Sequence, residues 1–212
     1  RRLAGEVARV EAQYPNPMKQ KELFDLFQHF KYIVLQGSAM SGIGDGHSMT
    51  SLSSCYVVGS GIPEDTCGAV FRMDEELVQL MRRGGGVGHD LSHIRPVDSS
   101  SGENADGTFG LILAMEHYSS SAKEVMRNLR RGALSLSFSV KHPSVEALME
   151  AKAQGGGASG VNFAVKVDDS FMRAVTANGL YTQQFPVDSK APEVKKEVVA
   201  KDLWNKIVRG AW

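Results

Sequence analysis

Cys55 is the residue of this chain whose type is best suited to redox chemistry. It follows two serines and begins the short apolar run CYVV, a pattern that predicts a buried strand. A thiol, unlike a hydroxyl, can give up two electrons reversibly by joining a partner thiol. Since an unpaired cysteine is more commonly a small buried hydrophobe, the spacing alone leaves a structural and a redox role open.

A glycine-rich run at residues 84–88 (GGGVG) is a candidate for ligand binding, because bare backbone lets a ligand approach closely. It matches neither common phosphate-binding motif. No Gly-Lys-Ser/Thr follows it, and the glycine spacing is not G-x-G-x-x-G. The run by itself therefore indicates a flexible turn as much as a binding loop.

Two histidines four residues apart, His89 and His93, enclose an acidic residue and are similar in spacing to the H-E-x-x-H zinc site. That site requires a helix, whereas this segment lies between a glycine loop and Pro96, where a strand is expected. Residues four apart on a strand lie about 13 Å from each other, too far to share one metal ion. We therefore predict no metal site and keep a zinc hydrolase as a remote alternative.

The composition favours a globular cytoplasmic protein. The 212 residues suffice for one domain with a core, and Lys+Arg and Asp+Glu number 24 each, so no global field attracts nucleic acid or an anionic membrane. No apolar run approaches the roughly 18 residues of a membrane span. Two cysteines do not make a disulfide scaffold. We expect no nucleic-acid partner and no membrane partner.

The elements that position these residues follow from apolar periodicity. We expect helices at residues 1–13, 18–32, 109–127, 143–152 and 168–177, one that opens at Pro63 with an acidic first turn, and one from Lys201. Strands are expected at Cys55, after the glycine run, and at residues 133–140, 161–167 and 180–185, with connections at 98–107 and 155–157. Strand–helix alternation predicts a parallel α/β sheet or part of a barrel. The helical pattern reaches the last residue without a stop signal, so we expect a piece of a longer protein.

Several segments resemble, in one collinear order across residues 19–212, the N-terminal half of a ribonucleotide reductase catalytic subunit, most like the adenosylcobalamin-dependent class II type. The segments are SSCYVVG around Cys55, RGGGVGHDLSHIRP at 83–96, FKYIVLQGSAMSGIG at 30–44, RRGAL at 130–134, VKHP at 140–143 and FPVDS at 185–189. The resemblance implies an α/β fold, with the first half of a ten-stranded α/β barrel at residues 51–212. A helical N-terminal segment with a substrate-phosphate loop is expected at residues 1–50.

The resemblance also implies the residues of a substrate site. The family's counterpart of Cys55 is one of two thiols that reduce the ribose 2′ position and finish as a disulfide. Ser54 matches a residue that contacts the bound nucleotide, Ser38 lies in the loop that closes over the substrate phosphate, and Gly86 is the expected contact of the glycine run. Cys67 has no counterpart and is expected to be structural.

A second implied site binds a regulatory deoxynucleoside triphosphate. Asp65 stands where the family carries a carboxylate for the effector ribose, and Arg95 stands where a basic residue approaches the phosphates. Arg131 belongs to the Arg-Arg-Gly-Ala segment that relays effector identity to substrate choice. Asn128-Leu129 stands where relatives usually carry a glycine, and residues 97–108 are unusually rich in serine and acidic residues. Both departures from the family pattern put the coupling between effector binding and substrate choice in doubt.

The resemblance implies the partners of a complete reductase. These are a ribonucleotide substrate, adenosylcobalamin, a thioredoxin-like dithiol reductant, the remaining half of the catalytic barrel, and further copies of the chain in a homo-oligomer. A radical-carrying cysteine and a second reducing thiol are also needed, whereas Cys55 and Cys67 are the only cysteines. We therefore expect this chain alone to be inactive. The alternative is a noncatalytic nucleotide-binding or assembly fragment that needs another chain.

Overall fold

The computed structural model describes residues 1–47, 49–59, 65–96, 110–127, 130–153 and 160–211. Two compact units are present, the first formed by residues 1–56 and 83–85 and the second by residues 57–82 and 86–212. The chain passes between them within the strand that carries Cys55 and again within the glycine run. The expected boundary after residue 50 stays a prediction. No helix in the described ranges is long and apolar enough to cross a membrane.

The first unit is helical, as predicted for the N-terminal segment. Its elements are α1 (Arg2–Glu11), α2 (Gln20–Phe27), a 3₁₀ turn (Gln28–Phe30) and α3 (Gly37–Gly42). The helices α1 and α2 contact each other and bury Ala4 and Leu23. At the start of α2 the Lys19 backbone N–H donates to the Glu22 carboxylate over 2.7 Å, which satisfies a donor that the helix itself leaves unpaired.

The strands of the described chain follow one another from Cys55 to Val199. They are β1 (Cys55–Val58), β2 (Gly86–Asp90), β3 (Met126–Arg127), β4 (Arg130–Arg131), β5 (Ala133–Ser139), β6 (Asn162–Lys166), β7 (Leu180–Phe185) and β8 (Val194–Val199). The largest sheet has the order β1-β2-β5-β6. Parallel pairing joins β2 to β5 and β5 to β6. This confirms the predicted α/β class with a parallel sheet.

The alternating sequence of β5 explains why this strand lies at the centre of the core. Leu134, Leu136 and Phe138 are buried, and the residues between them are more exposed, which confirms the predicted period of two. The helices of the second unit are α4 (Cys67–Arg82), α5 (Leu111–Glu124), α6 (Val145–Ala153), α7 (Asp169–Thr176) and α8 (Ala200–Ala211). They contribute Leu77 and Tyr118, among others, to the same buried cluster.

The prediction that Cys55 begins a buried strand is wrong. β1 is at the edge of its sheet in the described chain. Both Cys55 and Val57 are exposed, and Val57 retains 80% of its accessible surface. An apolar run is buried only where other elements cover it, and an edge strand has a neighbouring strand on one side only.

Two helix boundaries also differ from the prediction. The helix expected to open at Pro63 with an acidic turn begins at Cys67, with no acidic residue in its first turn. Residues 63 and 64 lie outside the described residues, as do the expected connections at 98–107 and 155–157. The helix expected to reach residue 127 ends at Glu124, because residues 126–127 form β3 and pair antiparallel with β4.

The strand expected at residues 180–185 is confirmed as β7, which pairs antiparallel with β8 in a separate two-stranded sheet. The sequence of β8, VKKEVV, carries three charged residues and was not predicted as a strand. Its burial pattern is mostly exposed, so local hydrophobicity gives little indication of it.

Candidate functional site

The Cys55 thiol is exposed and is bordered by serine hydroxyls. The Ser54 Oγ donates to Cys55 Sγ over 3.6 Å, and the Ser53 Oγ donates to the Cys55 carbonyl over 3.4 Å. The Ser51 and Tyr56 hydroxyls are hydrogen-bonded to each other, which ties the residues before the thiol to the strand that follows. The thiol is therefore accessible to a ligand. It is preceded by Ser51, Ser53 and Ser54, which we call the serine strip.

Two other segments of the first unit lie close to this strip. The Ser51 backbone N–H donates to the Arg83 carbonyl over 3.0 Å. A Cβ at Gly37 would stand 3.9 Å from the Cβ of Ser54. The Ser38 Oγ donates to the Gly84 carbonyl over 2.7 Å. The start of α3 and the beginning of the glycine run thus lie next to the serines that precede the thiol.

The structure gives Ser38 a partner that the sequence does not indicate. Its side chain is buried, with 7% of its surface exposed, and its hydroxyl donates to the Gly84 carbonyl rather than to solvent. This contact holds Gly84, at the beginning of the glycine run, against α3. Gly86 begins β2 in the second unit, half-buried and in parallel register with Ala133. Cys67 begins α4 and is partly exposed.

Asp65 and Arg95 form a two-pronged ion pair in the second unit. The Arg95 Nε donates to Asp65 Oδ2 over 2.6 Å, and Nη2 donates to Oδ1 over 3.1 Å. About a quarter of each side chain is accessible: 26% for Arg95 and 20% for Asp65. The hydrogen bond to Asp65 is the main cause that raises the pKa of Arg95. Residues 30 positions apart in the sequence thus form one partly exposed charged surface.

The third residue predicted for the effector site, Arg131, lies in β4, where it pairs with Met126. The segment 97–109, which follows Arg95 closely, lies outside the described residues. The relation of Arg131 to the Asp65–Arg95 pair therefore stays a prediction.

The sequence does not predict the polar cluster that lies at the carboxyl ends of the parallel strands. Asp90 at the end of β2 accepts from Ser92 over 2.9 Å, from Ser137 over 3.0 Å and from the Lys166 ammonium over 2.7 Å. Burial tends to raise the pKa of Asp90, but the hydrogen bonds from Lys166 and the two serines outweigh it and lower that pKa. The four residues of this cluster lie on or next to three different strands, so no local sequence motif indicates that they meet.

The expected separation of His89 and His93 is wrong. Their ring centroids are 5.6 Å apart, because β2 ends at Asp90 and the chain then turns, with the Ile94 N–H donating to the Leu91 carbonyl. His89 is buried, with Nδ1 3.2 Å from the Val58 carbonyl. Burial is the main cause that lowers the pKa of both histidines. Over the described ranges, no group of three His, Cys, Asp or Glu side chains is arranged to hold a metal ion.

Comparison with known proteins gives a consistent relationship. The family model "Ribonucleotide reductase, barrel domain" matches residues 53–212. The chain is 29% identical over 171 residues to a vitamin B12-dependent ribonucleoside-diphosphate reductase of Mycobacterium tuberculosis, covering 80% of this chain and 24% of that protein. It is 26% identical over 182 residues to the ribonucleoside-diphosphate reductase subunit alpha of Helicobacter pylori, covering 74% of this chain and 23% of that subunit.

A third relative, a vitamin B12-dependent ribonucleotide reductase of Streptomyces avermitilis, is 27% identical over 187 residues, 76% of this chain and 19% of that protein. The chain thus spans about a quarter, or less, of the length of these curated relatives. The family match covers all strands of the parallel sheet and confirms the resemblance drawn from the Cys55 and glycine-run segments. The chain belongs to the ribonucleotide reductase barrel-domain family.

Proposed function

We propose that this chain supplies the substrate site, one reducing thiol and an effector site to a ribonucleotide reductase, which makes deoxyribonucleotides by radical chemistry. The observation that carries the proposal is the exposed Cys55 thiol with the Ser54 hydroxyl 3.6 Å from its sulfur. A structural cysteine has no need of access to solvent. A thiol that must meet a ribose and later a reductant does.

The proposed reduction of the ribose consumes two thiols. Cys55 and a partner thiol from the remaining half of the barrel provide two electrons and two protons to the ribonucleotide. A C–H bond replaces the C–O bond at the ribose 2′ carbon, the hydroxyl leaves as water, and the two sulfurs join in a disulfide. A dithiol protein of the thioredoxin type then reduces that disulfide by thiol–disulfide exchange. The exposed position of Cys55 suits both the substrate and the exchange partner.

The neighbours of Cys55 suit nucleotide binding. Ser54 is exposed and its hydroxyl can contact the ribose while it remains beside the sulfur. The Ser38 hydroxyl is engaged with Gly84, so we propose that it acts on the substrate phosphate by fixing the glycine run rather than through a free hydroxyl. Gly86, at the start of β2, is the proposed backbone contact to the substrate.

The Asp65–Arg95 pair supports a site for a deoxynucleoside triphosphate. Arg95 contacts Asp65 through its Nε and Nη2 edge, which uses two of its donors. The other edge of the planar guanidinium, between Nη1 and Nη2, faces away from the carboxylate and has the spacing to fork onto phosphate oxygens. The Asp65 oxygens can accept from a ribose hydroxyl, and Arg131 is proposed to contact the effector from β4.

The complete enzyme is proposed to use adenosylcobalamin, because two of the relatives are named vitamin B12-dependent. The groove between α6, β8 and α8, about 440 Å³ in volume, is lined by Glu146, Asp202, Lys206 and Arg209 among others. Its lining carries four charged side chains and does not match the mostly apolar wall expected around a corrin ring, so it does not fit the cofactor. We propose that the cofactor binds to the remaining part of the enzyme.

A homo-oligomer is also proposed. Phe71 on α4 and Leu113 on α5 expose 49% and 55% of their surface, although both belong to helices whose other faces are buried in the core. Apolar side chains left exposed on neighbouring helices suit contact with a second copy.

The second candidate function is a noncatalytic nucleotide-binding or assembly fragment. It is favoured by one observation: the Asp65–Arg95 pair is formed entirely within this chain, whereas the proposed chemistry needs thiols beyond Cys55 and Cys67. A downstream reading frame that carries the remaining cysteines of the barrel would favour the enzyme.

Bound ribonucleotide should protect Cys55 from alkylation. At a nucleotide concentration about ten times Kd, iodoacetamide should modify Cys55 about tenfold more slowly, because only the unliganded fraction exposes the thiol. The rates at Cys55 and Cys67 are measured by peptide mass spectrometry in the unsubstituted chain with ribonucleoside diphosphates and triphosphates. Cys67, which has no proposed contact with the substrate, is the internal control. Equal Cys55 rates with and without bound nucleotide would contradict the proposed substrate site.

Arg95→Ala should weaken binding of deoxynucleoside triphosphates by about tenfold or more, since a charge-assisted contact is worth about 1.5–3 kcal/mol. Isothermal titration calorimetry measures the affinity. Arg173→Ala is the matched control, because it removes the same charge from an exposed position on α7. Equal affinities for Arg95→Ala and the unsubstituted chain would remove Arg95 from the effector site.

A further inference from the structure

The turn that presents Arg95 is fastened to the end of β5 and to the residues after it. The Leu91 N–H donates to the Ser137 carbonyl over 2.8 Å. The Ser139 N–H donates to the Ser92 hydroxyl over 2.8 Å. The third contact is made by a histidine, whose Nε2 lies 2.8 Å from the Ile94 carbonyl oxygen. This histidine is His142, three residues beyond the end of β5.

The partners of His142 define its tautomer. Its Nδ1 accepts from the Ser144 backbone N–H over 3.1 Å, so the proton must be on Nε2, from which it is donated to Ile94. The side chain is 0% exposed and its ring meets Phe185 edge-on, with centroids 5.5 Å apart. Both ring nitrogens are thus engaged, and the enclosed ring can hold the Ile94 carbonyl in only one direction.

The Ile94 carbonyl is not an arbitrary acceptor. It belongs to the same planar peptide unit as the nitrogen of Arg95, so its orientation sets where the Arg95 Cα and side chain start. The next peptide unit is held as well, because the Leu111 N–H donates to the Arg95 carbonyl over 3.3 Å. The backbone of Arg95 is therefore clamped on both sides, by His142 before it and by the first residue of α5 after it.

We propose that His142 is a positioning residue of the effector site: its neutral imidazole fixes the Ile94 carbonyl and thereby directs the Arg95 guanidinium onto Asp65. Among the described residues, the hydrogen bonds of His142 go to Ile94 and Ser144 and not to Asp65, so we propose that it acts through the backbone of Arg95. The role of the pair in effector binding rests on the proposed function, whereas the positioning of Arg95 does not.

Two amide substitutions separate the two hydrogen bonds of the ring. In His142→Gln the amide nitrogen can occupy the place of Nε2 and donate to Ile94. In His142→Asn the shorter side chain can still accept from Ser144, but it cannot reach Ile94. Both replace a neutral aromatic ring by a smaller amide, so the loss of packing against Phe185 is similar in the two, and urea denaturation measures it in each.

The first readout is the Arg95 side-chain Nε–H signal in a ¹⁵N–¹H spectrum, assigned by its absence in Arg95→Lys. Because Nε donates to Asp65, this signal should be sharp and slow to exchange in the unsubstituted chain and in His142→Gln. It should shift and broaden in His142→Asn. A signal that is the same in both variants as in the unsubstituted chain would overturn the proposal and leave His142 a purely structural residue.

The second readout is the calorimetric affinity for dATP and dTTP. His142→Asn should weaken the affinity by about tenfold, as expected for a misdirected charge-assisted contact, and His142→Gln should retain it. If the unsubstituted chain binds no deoxynucleoside triphosphate, the effector function fails while the Nε–H signal still tests the positioning. Equal affinity losses in the two variants would contradict the role of the Nε2 donor.

A third variant covers the case in which His142→Asn does not fold. His142→Leu keeps an apolar side chain against Phe185 but has no donor for the Ile94 carbonyl. The Arg95 Nε–H signal should therefore shift and broaden in this variant too. An unchanged signal in a folded His142→Leu chain would overturn the proposal.

Discussion

Cys55→Ser is expected to abolish dithiol-driven formation of deoxyribonucleotides in a reductase that carries this chain together with the rest of the barrel, and to leave ribonucleotide affinity almost unchanged. Serine retains the shape of the side chain and can still contact Ser54, but an oxygen cannot join a partner thiol and release two electrons. Turnover is followed as deoxynucleotide formed with a dithiol reductant, and affinity is followed by calorimetry.

Cys67→Ser is the matched control for this experiment. Cys67 begins α4 and has no proposed contact with substrate, so its loss should leave turnover within about twofold, the scale of an ordinary surface substitution. Turnover that survives in Cys55→Ser, or that disappears in Cys67→Ser, would transfer the reducing role away from Cys55. A simultaneous loss of turnover and affinity would indicate a damaged substrate site instead.

The elements that the sequence predicts well are those whose own residues carry the pattern. β5 alternates apolar and small polar residues, and the alternate apolar side chains are buried as expected. α7 begins at Asp169, within one residue of its expected start, and the Asp168 carboxylate there accepts from the Phe171 N–H over 2.7 Å. Such signals lie within one or two turns of the chain, so no knowledge of the tertiary fold is needed to interpret them.

The elements that were missed depend on partners distant in the sequence. β8 is a strand because β7 offers it an antiparallel ladder, although Lys195, Lys196 and Glu197 make its sequence resemble a solvated loop. The CYVV run was expected to be buried, but its strand is at a sheet edge. Burial of a strand depends on which elements cover it, and this is a property of the assembled fold.

The same distinction holds for the candidate sites. Residue types and family likeness were enough to select Cys55, Asp65 and Arg95 as candidates. They could not indicate that Asp65 and Arg95 contact each other, or that the Ser38 hydroxyl is engaged with a carbonyl 46 residues away. The VKHP segment was recognised only as a family likeness, and nothing in its spacing indicates that its histidine holds the residue before Arg95.

Acid should destabilise the second unit because His142 binds a proton when the chain unfolds. This effect should begin at a higher pH than the protonation of the ion-paired carboxylates in the same unit. Burial is the main cause that lowers the pKa of His142 to about 4, and the hydrogen bond to Ile94 only partly opposes it. The unfolded chain therefore binds more protons than the folded chain between about pH 6.5 and pH 4. The contribution of neutral His142 to the free energy of unfolding is complete above about pH 6.5 and is lost as the pH falls towards 4. The total loss is about 3 kcal/mol, which changes the unfolding equilibrium constant more than about a hundredfold.

Urea denaturation of the 212-residue chain at about pH 7 and about pH 4.5 measures this loss, of which about 2 kcal/mol should appear over that interval. In His142→Gln the group that titrates is gone, so this part of the pH dependence should disappear, although the variant is less stable at neutral pH. Other groups with lowered pKa values, such as His89, His93 and Asp90, remain in both chains and cancel in the comparison. If His142→Gln loses as much stability as the unsubstituted chain between the two pH values, His142 takes up no extra proton on unfolding. Its pKa would then not be lowered in the folded chain, which contradicts the prediction.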